Sequence, residues 1–251
     1  MKNKHKDKIF SLGYFKQNCK FNSKLVIMLV LGGKYMEIKR HKVFVSYYHK
    51  DDQEYKNQII DWGYWDDEKF EYKSIFDDYS VGNGDIDDDL DDEQTRRIIR
   101  DHFIKEPTVF ILLCGKNTKT RKHIDWEIHA AMYHSDVNRQ MGIIVVNLPS
   151  INQTIRASQE DEKEIISDND GWISLDTRNE FEEFYPYMPE RIIDNFMKNI
   201  PITVVDWNVI NRDHNKLMIL IDNAYKRRNS FRYDHSRPLR KSNSTDMVRN
   251  K

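Results

Sequence analysis

Apolar positions along the chain gather into short runs separated by stretches of helical periodicity, and their alternation predicts a layered α/β fold. Lys42-Val-Phe-Val-Ser-Tyr-Tyr48 is rich in β-branched and aromatic residues and reads as a strand. Asp51-Asp52 can cap the amphipathic segment Tyr55 to Trp62 that follows. Tyr72 to Tyr79 reads as a second strand, and a helix is expected from about Asp91 to Ile104, stopped by Pro107. Thr108 to Cys114 is continuously apolar, the pattern of a parallel strand covered on both faces. A helix over Lys122 to Tyr133, a strand over Gly142 to Val146, a strand over Pro201 to Val205 and a helix from about His214 to Tyr225 complete the series. The expected architecture is therefore a flavodoxin-like parallel sheet of about five strands with helices on both faces. Residues from about 149 to 200 break the rhythm, polar near Ser158 to Asp170 and aromatic near Trp172 to Tyr187, and read as an insertion of loops and short helices.

Charge refines the domain limits. The net charge of −1 conceals eight lysines against one aspartate in residues 1–35 and nine basic against two acidic residues in 226–251, which leaves −15 for residues 36–225. An acidic body argues against duplex nucleic acid as a partner, because such binding rests on neutralising phosphates. The basic ends read as a solvated extension and a disordered tail.

The apolar run Leu25 to Leu31 is far shorter than the ~20 residues that cross a bilayer, and Gly32-Gly33-Lys34 offers no cleavage pattern, so neither a membrane span nor a signal is expected. Leu31 to Met36 can be encoded by a ribosome-binding sequence set before a start codon. Met36 is accordingly read as the initiator, with residues 1–35 untranslated and the domain spanning 36–225. Intact mass of the native protein decides this. The two cysteines, Cys19 and Cys114, form no CxxC or metal spacing, which points to the cytoplasm and to neither disulfide nor zinc.

Ligands of a doubly wound sheet sit beyond the carboxyl ends of its strands. The familiar motifs fail there. Gly82-Asn-Gly84 lacks a dinucleotide fingerprint's third glycine, and Gly115-Lys116-Asn117 lacks both the preceding glycine and the Ser/Thr of a phosphate loop. An EF-hand begun at Asp85 would put Leu90 at the glycine position and Arg96 at the closing glutamate. No GxSxG or HExxH occurs. A phosphoryl-accepting receiver would need an aspartate where Cys114-Gly115 stands. Carboxylates remain, and Glu127 is notable because it borders the apolar stripe Ile124, Ile128 and Ala131. On spacing alone such a glutamate is usually a boundary residue or an ion-pair partner, here of Arg121 or Lys122.

Val43-Phe-Val-Ser-Tyr-Tyr48 followed by Asp51, Ile75-Phe-Asp77, and Thr108 to Gly115 followed by Arg121 and Glu127-Ile128 together resemble TIR-like domains. The likeness covers about residues 41 to 225. Val204-Val-Asp-Trp207 is similar to a segment of the ThsB family of the Thoeris antiphage system. The resemblance implies cleavage of the nicotinamide–ribose bond of NAD, a substrate here and not a cofactor, with Glu127 as the catalytic carboxylate. It also implies a nucleotide signal that diffuses to an effector protein, and homo-oligomers on activation. Ser46, Tyr47, Tyr48, Asp77 and His123 are the expected NAD contacts. One position departs from the family: a tryptophan often stands four residues before the glutamate, where this chain has His123. That departure keeps a second class open, a non-catalytic TIR-like adaptor that uses the fold for protein contacts.

Overall fold

The structure is a computed structural model and describes residues 27–31, 34–66, 71–81, 91–99, 105–135, 139–167 and 171–243. The expectations for Cys19, for Gly82-Asn-Gly84 and for most of the Asp85 to Asp92 loop lie outside them. Two compact units divide the chain, Met1–Lys39 and Arg40–Lys251. Within the first, β1 (Ile27–Leu31) pairs antiparallel with β2 (Lys34–Ile38), Leu29 opposite Met36. The rest of the basic extension is outside the described residues.

The second unit begins with β3 (Lys42–Ser46) and α1 (His49–Asp61). Tyr48 starts α1 without a side-chain cap, and Asp51 and Asp52 lie instead in the first turn, where negative charge complements the helix dipole. Next come β4 (Gly63–Asp66), β5 (Glu71–Ser74), β6 (Asp77–Asp78) and α2 (Asp92–Ile98), which Asp91 and Gln94 start with a capping box. Then follow β7 (Val109–Cys114), α3 (Lys122–Met132) and β8 (Gly142–Asn147). The irregular stretch supplies α4 (Lys163–Ile166), α5 (Arg178–Phe184) and α6 (Glu190–Met197), before β9 (Thr203–Asp206), α7 (Trp207–Arg212) and α8 (His214–Arg227).

Five strands form the parallel sheet, in the order β6-β3-β7-β8-β9. This is the expected α/β, flavodoxin-like arrangement. The expected second strand, Tyr72 to Tyr79, is corrected. Only Asp77–Asp78 joins the sheet, while Glu71–Ser74 turns back on Gly63–Asp66 as an antiparallel hairpin.

Strand side chains alternate between two cores. Phe44, Phe110, Leu112, Cys114, Ile143, Val145 and Val204 pack with Ile124, Ile128 and Met132 of α3 and with Ile192 and Phe196 of α6. The intervening residues, including Val45, Ile111, Leu113, Ile144 and Val205, are equally buried on the face where α1 and α8 lie against β7 and β8. Each fully buried side chain of this size contributes roughly 1.5–3 kcal/mol.

Helix α8 crosses the start of β8 so closely that a methyl group on Gly142 would stand 2.2 Å from the Ala224 carbonyl oxygen. A helix backbone cannot rotate aside, so Gly142→Ala forces the layers apart. The expected cost is about 1–3 kcal/mol, read as a fall of roughly 2–4 °C per kcal/mol in a thermal melt.

The C-terminal segment is also corrected. Residues 228–243, expected as disordered tail, pack along the domain. Gln140 donates to the carbonyls of Arg228 and Phe231, Ile143 N donates to the Tyr233 hydroxyl at 3.2 Å, and Arg237 pairs with Asp194 at 2.5 Å. Their basic composition suggested solvation, yet their acceptors and carboxylate partners lie in the body of the fold.

Candidate functional site

Strand β3 ends on Ser46, at the carboxyl edge of the sheet. Alternation sends Ser46 and Tyr48 to the face covered by α3 and Tyr47 to the opposite one. Helix α3 brings Glu127 to the same point, and the Ser46 hydroxyl donates to Glu127 Oε2 at 2.6 Å. Both side chains are buried, Ser46 at 1% and Glu127 at 8% exposure. Burial disfavours the ionised carboxylate more than the Ser46 hydrogen bond favours it, and the Glu127 carboxyl is pushed up to about 7. The ion pair that spacing alone allowed is absent. Lys122 instead reaches Asp92 at 2.5 Å, and the Arg121 guanidinium lies 4.0 Å from the Tyr48 ring centre.

Of the other expected contacts, Tyr48 follows Ser46 by two residues, His123 precedes Glu127 by four, and two lie elsewhere. His123 stands on the face of α3 one turn before Glu127, exposed, with its ring 5.0 Å from that of Trp126. Tyr47 is buried toward α1, its hydroxyl donating to Gln53 at 2.9 Å and its ring stacked on His49. Asp77 pairs in register with Lys42, four residues before Ser46, which sets it about 13 Å back along the strand. There it binds Arg40 at 2.5 Å. The strand it belongs to is too short to carry it to the sheet's carboxyl edge.

The same edge holds polar residues that periodicity did not single out. In register across β7, β8 and β9 stand Cys114, Asn147 and Asp206. Asn147 donates to Asp206 at 3.0 Å and accepts from Gln153 at 2.7 Å, and Gln153 also contacts the Cys114 sulfur. Burial pushes the Cys114 thiol up to about 12, so it is not a nucleophile at neutral pH. Asp52 is a second buried carboxyl at this edge, beside Gly115, with one oxygen lacking a hydrogen-bond partner. Burial, and then Asp51, raise it to about 6. Trp207 of the Val204-to-Trp207 segment packs on Tyr55 and Trp62, a structural role.

What the pair at Ser46 and Glu127 can do follows from its surroundings. A fixed carboxylate in a water-poor setting stabilises positive charge developing beside it, at little reorganisation cost. Among the described residues, no group of three His, Cys, Asp or Glu is placed to hold a metal ion, and no helix is long and apolar enough to cross a membrane.

No curated protein matches the chain. Residues 44–153, which include Ser46, Tyr48, Arg121 and Glu127, match the family described as Thoeris protein ThsB, TIR-like domain.

Proposed function

We propose that the protein acts in antiphage defence by cleaving NAD at the bond between nicotinamide and ribose, with Glu127 as its catalytic carboxylate. The observation that carries the proposal is the buried Glu127, held by Ser46 at the carboxyl edge of the sheet. The family match over residues 44–153 supports the defence role. As the C1–N bond breaks, its electron pair leaves with nicotinamide, a neutral molecule, and positive charge spreads over the ribose C1 and ring oxygen. Ionised Glu127 offsets that charge. Water, or a nucleophile within the same dinucleotide, then bonds to C1 and releases a proton. The first acceptor gives ADP-ribose and the second a cyclic nucleotide, which would act as the diffusible signal to an effector.

The test incubates purified protein with NAD, alone and in infected-cell lysate, and separates nicotinamide and ADP-ribose products by chromatography. Product is expected from the parent and not from Glu127→Ala. Because the role requires the ionised form, kcat/KM is expected to rise with pH through about 7. Full activity in folded Glu127→Ala removes the proposal.

An adaptor function draws on one observation, the exposed His123 at the place where relatives often carry tryptophan. Absence of product in both conditions would favour it.

A further inference from the structure

One turn before Glu127 on α3, Ile124 forms part of the wall of a cleft of about 320 Å³. Lys119, Arg121, Arg237 and Arg240 bring four cations to it, and Asp125 and Glu190 two carboxylates. Both carboxylates are already paired. Asp125 takes the Arg191 guanidinium at 3.1 and 3.2 Å and the Arg240 backbone N–H at 2.9 Å. Glu190 is held by Arg178 and approached by Arg237 at 3.7 Å, while Arg237 itself is committed to Asp194.

Of the four cations, Lys119 and Arg121 have no carboxylate partner among the described residues. Arg121 is the more informative. Its guanidinium is stacked on Tyr48, two residues after Ser46, and its Nε is buried without a hydrogen-bond partner. Stacking fixes the plane of a guanidinium and leaves its edge donors aligned for two oxygens of one anion. Arg121 therefore stands between the Glu127 site and the cleft, with an Nε donor that no described residue uses. Arg121 lies six residues before Glu127, a rise of about 9 Å along α3.

We infer that this cleft binds the diphosphate of a nucleotide, Arg121 gripping it through paired N–H donors and Lys119 adding a second positive charge. The volume lies at the small end of ligand pockets, which suits the charged middle of a dinucleotide while its sugar extends toward Glu127. In that form the inference rests on the NAD proposal, but binding can be tested without turnover.

Isothermal titration of the full chain carrying Glu127→Gln with ADP, adenosine, pyrophosphate and inorganic phosphate is the experiment. ADP and pyrophosphate are expected to bind, adenosine at least tenfold more weakly than ADP. Arg121→Ala should weaken ADP at least tenfold and Lys119→Ala several-fold. Arg121→Lys should restore only part of the affinity, because an ammonium cannot make the paired contact. Thermal melts establish that each variant is folded, and the Lys119 and Arg121→Lys proteins carry the test if Arg121→Ala is not. Failure of the parent to bind ADP or pyrophosphate overturns the inference, as does equal ADP affinity in folded variants. Binding of inorganic phosphate as tight as ADP also overturns it, since the cleft would then be a simple anion site. NAD cleavage by the parent is scored separately: ADP binding that depends on Arg121 without any turnover keeps this inference and removes the enzymatic one, and the reverse result does the opposite.

Discussion

Glu127→Gln is expected to abolish NAD cleavage while making the protein more stable at pH 8. In the unfolded chain this carboxyl ionises near 4.5, and in the fold near 7, chiefly because burial disfavours its charge. Below pH 4.5 it is neutral in both states and its contribution is fully present. As pH rises toward 7 the unfolded chain gives up its proton first, so stability declines by about 1.4 kcal/mol per pH unit. Above 7 the loss is complete at about 3 kcal/mol. Glutamine keeps the shape and can still accept from the Ser46 hydroxyl, but carries no charge to bury. Its advantage in urea midpoint should therefore appear between pH 5 and 7 and level off above, amounting to roughly 6–12 °C in melting temperature at pH 8. Identical pH profiles for the two proteins would show that Glu127 is not desolvated as described. Stability gained together with activity lost is the signature of a group retained for chemistry and not for folding.

Arg191→Met is expected to act in the opposite direction. The Arg191 side chain is fully buried, binds both oxygens of Asp125 and donates to the carbonyls of Arg237 and Pro238 at 3.0 and 3.3 Å. Removing it leaves a largely buried carboxylate without its countercharge and two carbonyls without donors. Breaking such a pair costs about 3–5 kcal/mol. The urea midpoint should fall accordingly, and trypsin should cut near Arg232 to Arg240 far sooner than in the parent. Adding Asp125→Leu should recover part of the loss, because the stranded charge goes with it. An unchanged proteolysis pattern would show that Arg191 does not hold this segment.

What the sequence made legible, and what it concealed, follows from the range of each interaction. Thr108 to Cys114 and Gly142 to Val146 declared themselves as buried parallel strands because both faces are covered and no polar residue interrupts them. Glu127 could be singled out because its position beside Ile124 and Ile128 is a property of one helix. Its partner Ser46 lies 81 residues away, and no periodicity links them; only the family resemblance placed both near one site. Tyr72 to Tyr79 departs from its expected strand for the same reason. Whether such a run joins a sheet or folds back as a hairpin depends on the strand beside it, here Gly63–Asp66. Asp77 was expected beside Ser46, and its register with Lys42 sets it back from there. Arg191 and Asp125 were ordinary helical charges until the fold brought them together.

The docking of residues 228–243 also separates two definitions of a domain. The family match ends at residue 153, yet Trp126 Nε1 donates to the Arg240 carbonyl and Lys122 N to the Asn243 side chain, so the helix bearing Glu127 is completed by chain that the match does not reach. A protein trimmed to the recognisable region would retain every residue by which it is recognised and lose the groups that finish its central helix. For this chain, the stretch that matches the family is shorter than the stretch that packs around it.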